Sequence, residues 1–137
     1  MLVFTTAQAQ RRPKDKILDR KVFSVVMEHQ TTKKKKPTPF DEELAFRSNK
    51  LTAKHLRMAD AGAFQPGEYV ITEKEEILDE KSYRFQAINK NSKGMSLKWE
   101  GKIFGGQIEG KATVSKKGKV KQEFVFTGAL KQKRKRN

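Results

Sequence analysis

Two histidines, His29 and His55, and several runs of carboxylates have the first claim to acid–base or metal chemistry in this 137-residue sequence. Neither histidine has a neighbour that would complete a metal site at ligand spacing, so both read as ordinary surface or packed side chains. Asp41-Glu42-Glu43 opens a predicted strand, where only alternate members share a face. A general acid and base pair would need a second carboxylate from elsewhere, and the run reads as the solvated start of a strand. Glu73, Glu75, Glu76, Asp79 and Glu80 crowd a predicted hairpin tip, where a weak cation site is the one available chemistry and solubility the plainer role. Gly105-Gly106 lacks the strand-to-helix setting of a phosphate loop and reads as a turn. The absence of cysteine removes disulfides, thiolate zinc sites and cysteine catalysis together. No catalytic residue, metal ligand or cofactor is assigned, and the chain reads as non-enzymatic.

The side chains that exceed background are basic. Lys33, Lys34, Lys35 and Lys36 end at Pro37, and Lys131, Lys133, Arg134, Lys135 and Arg136 crowd the other end of the chain. The chain carries 31 Lys and Arg against 16 Asp and Glu, a net +15. Residues 11 to 36 account for +7 and residues 131 to 137 for +5, leaving only +3 on residues 37 to 130. The excess charge therefore hangs on two clusters able to follow an anionic surface, and their composition also matches nuclear targeting signals. If about six of these charges met phosphates, affinity would fall by orders of magnitude with rising salt.

Between residues 21 and 130 the apolar residues recur with period two, the repeat of a strand with one buried face. Phe23, Val25 and Met27 form one series, followed by Leu44 and Phe46, Leu51 and Ala53, Tyr69 and Ile71, and Tyr83, Phe85 and Ala87. Met95, Leu97 and Trp99 continue the pattern, then Ile108, Ala112 and Val114, then Phe124, Phe126 and Leu130. Turn residues separate the last strands at 91–94, 105–106 and 116–118, links too short for anything but antiparallel neighbours. Only 51–64 invites a helix, through Leu51, His55 and Met58, before Gly62 and Pro66 break it. The expected fold is all-β: a single antiparallel up-and-down barrel of about eight strands, or a related sandwich, with one short helix. Closure into a barrel is expected to remove exposed strand edges. Phe85, Trp99, Phe124 and Phe126 then point inward as core or as the lining of a pocket. The Phe124-Val125-Phe126 run lacks the basic-glycine-aromatic residues that precede such a pair in an RNA-recognition strand, and it reads as core.

With its strands in place, the chain resembles small secreted bacterial proteins of the lipocalin-like (calycin-like) β-barrel type, many of unknown function. The resemblance rests on 41–46 (DEELAF) with Asn49-Lys50-Leu51, Phe64 and Tyr69, 99–103 (WEGKI), 106–112 (GQIEGKA) and 124–130 (FVFTGAL). It covers roughly residues 21 to 130 and implies a barrel with an interior ligand pocket, a fold more than an activity. The glycine and tryptophan that open the first strand of true lipocalins are not present.

Three segments follow: residues 1–20, a signal remnant or flexible basic arm; 21–130, the barrel; and 131–137, a basic tail. Ala7 and Ala9 give the small-x-small pattern of a secretory cleavage site, behind an apolar stretch of only Leu2, Val3 and Phe4. No apolar run approaches a membrane span. Two functions are expected to compete. One is an exported, periplasmic or secreted binding protein whose basic arms hold it to anionic lipid, polysaccharide or an acidic protein. The other is a cytoplasmic or nuclear protein associated with nucleic acid or the ribosome.

Overall fold

The computed structural model describes residues 15–30, 38–57 and 63–131. Within them the chain forms eight strands: β1 (Val22–His29), β2 (Phe40–Arg47), β3 (Lys50–Ala53), β4 (Gly67–Ile77), β5 (Glu80–Lys90), β6 (Met95–Phe104), β7 (Gln107–Lys116) and β8 (Lys119–Leu130). Each strand pairs antiparallel with the next, and β8 returns to β1 to close the ring. The up-and-down barrel is therefore the fold.

Turn chemistry explains why neighbouring strands pair. At 48–49, 78–79, 105–106 and 117–118 two residues join a pair of strands, and both have left-handed φ values between 51° and 78°. Such turns carry the twist of the flanking strands into a tight hairpin. Alternation then turns one side of every strand inward. Phe46 is the hub of the resulting core, edge-on to Phe23 at 5.8 Å, Tyr69 at 4.9 Å and Phe85 at 5.3 Å. Trp99 meets Phe126 at 5.4 Å. Each such ring withdrawn from water contributes roughly 1.5–3 kcal/mol.

Curvature comes from glycine at inward positions. Gly101 and Gly110 face each other across β6 and β7. A Cβ on Gly110 would collide with the carbonyl of Glu100 and lie 2.6 Å from the Cα of Gly101, while one on Gly101 would meet the Phe85 ring at 2.6 Å. Only glycine lets the two strands bend this closely around the aromatic core.

Four features differ from the sequence expectation. Residues 15–20, assigned there to an arm, close one end of the barrel. Leu18 is wholly buried, and the N–H of Arg20 donates to the Phe46 carbonyl at 2.7 Å. Among the described residues the helix, α1, is Lys54–Arg57, because Leu51 to Ala53 belong to β3. Glu42, expected in water, is buried. Closure also leaves an edge. β3 reaches β4 only at Lys50–Glu68 and Leu51–Gly67, and the Tyr69 N–H bonds the Asn49 carbonyl at 3.0 Å. Beyond that bond, β4 runs on to Ile77 paired, among the described residues, with β5 alone.

Candidate functional site

Glu42 follows the inward alternation of Leu44 and Phe46, so the pleat carries its carboxylate into the barrel wall. There Oε1 accepts from the backbone N–H groups of Glu43 at 2.8 Å and His55 at 2.7 Å, and Oε2 from that of Leu56 at 3.0 Å. The His55 ring nitrogen Nδ1 lies 3.1 Å from Oε1. These contacts occupy the carboxylate, cap α1 and fasten it to β2. The group anchors α1 to the barrel wall. His29 packs at this end too, its ring centroid 4.5 Å from that of Phe124 and 6.2 Å from that of Phe40.

Two further polar groups hold the interior. The Asn89 amide donates to the Leu51 carbonyl at 2.9 Å and the Gln65 carbonyl at 2.8 Å, while its oxygen accepts the Trp99 indole N–H at 2.6 Å. At the opposite end, the Tyr69 hydroxyl donates to Asp15 Oδ2 at 2.6 Å, and the N–H groups of Ile17 and Leu18 donate to the same carboxylate. Burial pushes the Asp15 carboxyl upward. The Tyr69 hydrogen bond, the two N–H donors and the charge of Lys74 outweigh it and hold the group below its ordinary value.

Among the described residues no three side chains of metal-ligating type converge, so the hairpin acids form no cation cage. Glu73 instead pairs with Arg84 across the hairpin at 3.2 Å. On the outer wall, a depression of about 580 Å³ lies over Gly101 and Gly110, lined in part by Arg84, Glu100, Lys102, Glu109 and Lys111. Register places Glu100 opposite Lys111 and Lys102 opposite Glu109. The charges there answer one another and leave no single sign to attract a ligand. Phe85, Trp99, Phe124 and Phe126 all lie buried on the inward face.

Lysine is distributed differently. In an up-and-down barrel the first, third, fifth and seventh connections share one end. The described lysines of that end are Lys54 in α1, paired with Glu43 at 3.6 Å, Lys90 and Lys93 beside the β5–β6 turn, and Lys116, Lys117, Lys119 and Lys121 on the β7–β8 hairpin, all exposed. Lys33, Lys34, Lys35 and Lys36 belong to the first connection and lie outside the described residues. The residues flanking that connection stand at the same end, with the Gln30 N–H bonded to the Glu123 carbonyl at 2.8 Å. Glu28, Asp41, Glu68 and Glu123 are the carboxylates exposed on the adjoining strand ends.

The second cluster starts elsewhere. Lys131 follows β8 at the far end of the barrel, where its N–H bonds the Val22 carbonyl at 2.7 Å and its ammonium bonds Glu43. That hydrogen bond, opposed by slight burial and aided by the charges of Lys131 and Lys54, lowers the Glu43 carboxyl below its ordinary value. Lys133, Arg134, Lys135 and Arg136 lie outside the described residues. The two clusters thus leave opposite ends of β1, roughly 25 Å apart for an eight-residue strand. The lysines of the β5–β6 and β7–β8 turns were missed as a site by sequence reasoning. The signal that could have found them is parity, since alternate connections of a meander meet at one end.

Comparison with known proteins returns no match to any protein family, curated protein or solved structure.

Proposed function

We propose that this protein is a non-enzymatic β-barrel scaffold that binds an anionic partner through the lysine-rich end of the barrel. The observation that carries this reading is the convergence of Lys90, Lys93, Lys116, Lys117, Lys119 and Lys121 on the end from which the Lys33–Lys36 connection springs. Exposed lysines on several short turns of a closed barrel outnumber the four exposed carboxylates beside them and leave a net positive surface, which raises the local concentration of an anion and speeds its encounter. The partner class is a polyanion, because spread ammonium groups neutralise a chain of charges better than they grip one small anion.

The reading extends to an exported protein of the cell envelope, with anionic polysaccharide, lipid head groups or an acidic protein surface as partner. The Ala7 and Ala9 cleavage pattern and the likeness to secreted lipocalin-like barrels support it. Mass spectrometry of the protein recovered from its own cells tests the location. A chain starting near Gln10 is the expected result. Retention of the first ten residues would contradict export and favour nucleic-acid phosphate as the polyanion. Binding to vesicles containing anionic lipid, to an acidic polysaccharide and to duplex DNA at matched salt then ranks the partners, with DNA expected last.

A further inference from the structure

We propose that the open edge of β4, residues 70–77, accepts an extended basic peptide from a partner protein as an added strand. Past Tyr69, whose N–H is the last to bond toward β3, β4 continues to Ile77 with β5 as its sole strand neighbour among the described residues. Among the described residues no strand pairs with the outward N–H and C=O groups of that stretch, whose alternation shifts at a bulge between Ile71 and Glu73. Such an edge is a template for strand addition, in which main-chain hydrogen bonds supply affinity and side chains supply selectivity.

The side chains here select for positive charge. Glu75 and Glu76 lie on the free stretch beside Glu73, which is paired with Arg84, and Asp79 and Glu80 follow at its turn, with Lys74 and Lys81 interspersed. This is an acidic margin on a chain of net charge +15. A second copy pairing through the same edge would set carboxylates against carboxylates and is disfavoured. A strand bearing lysine or arginine meets complementary charge.

The tip adds an apolar contact. Ile77 is 60 % and Leu78 93 % exposed, and Leu78 holds a φ of 51°. The other three two-residue turns use Ser-Asn, Gly-Gly and Lys-Gly, while this one places a large apolar side chain in the left-handed region, where it touches none of the core. Leu78 serves the fold poorly at that position, and it is placed to cover the end of a docked strand.

The test uses the full chain and a nine-residue peptide alternating lysine and valine, followed by fluorescence anisotropy and amide hydrogen exchange. Expected are saturable binding and at least tenfold slower exchange at the outward-facing amides within 73–77, beyond the bulge, although the protein as a whole repels a cationic peptide. The Glu75→Lys, Glu76→Lys double variant, altered only at exposed positions, should bind at least tenfold more weakly. A peptide of the same charge with alternate backbone nitrogens methylated should not bind. Equal binding of the methylated peptide, or no protection at 73–77, would overturn strand addition. Protection already present in the chain alone and abolished by deleting residues 1–14 would overturn the partner reading, by showing that the chain fills its own edge.

Discussion

The indole N–H of Trp99 donates to the side-chain oxygen of Asn89 at 2.6 Å, and the same asparagine holds the carbonyls of Leu51 and Gln65. One buried amide thus ties β3, β5, β6 and the segment before β4 together. Asn89→Leu would leave the indole N–H and two carbonyls without that partner, and should cost about 2–4 kcal/mol. Trp99→Ala should cost about 3–5 kcal/mol through lost packing. Both follow from chemical unfolding curves, and a change below about 1 kcal/mol in either variant would deny the network its structural role.

Asp15 predicts a specific acid response. Its folded value lies below the unfolded one, so on acidification the unfolded chain takes up the proton first. The stabilisation is complete above the unfolded value near 3.8 and disappears as pH falls through the lower, folded value. Asp15→Asn should therefore lower stability at pH 7 and flatten its pH dependence below about pH 4. Parallel pH profiles for the two proteins would contradict the assignment.

The glycines separate two kinds of constraint. Gly118 has a φ of 78° and open space around it, so Gly118→Ala should cost only about 1–2 kcal/mol of backbone strain. Gly110 has no such strain, but a Cβ there meets the backbone of Glu100 and Gly101. Gly110→Ala should cost about 3 kcal/mol or more and lower Tm well below that of the Gly118 variant. The reverse order would mean that the barrel is not bent at Gly101 and Gly110.

Much of this fold was legible because period-two alternation and turn residues act locally. Phe23, Val25 and Met27, or Leu97 and Trp99, announce an inward face without reference to the rest of the chain. The same alternation held information that residue type concealed. Glu42 shares the parity of Leu44 and Phe46, and Asn89 that of Phe85 and Ala87, yet the first reads as solvated and the second carries no signal, because their partners, α1 and Trp99, are brought near only by tertiary structure. Leu18 was hidden for a related reason, since a single apolar residue in a turn has no period. The open β4 edge depends on the unequal lengths of β3 and β4, which hairpin signals do not define. The basic end required topology before its lysines could be gathered.

The central claim is that position, and not merely total charge, directs binding. It is tested by two triple variants with equal change in net charge: Lys90→Glu, Lys117→Glu, Lys121→Glu at the basic end, and Lys16→Glu, Lys50→Glu, Lys81→Glu at the opposite end, all at exposed sites. The measurement is affinity for heparin, used as a polyanion probe, across a salt series. The account predicts that the first variant loses at least tenfold in affinity and shows a flatter salt slope, while the second stays close to the parent. Equal losses in the two variants would contradict it, and would reduce the lysine-rich end to one part of a diffuse positive field.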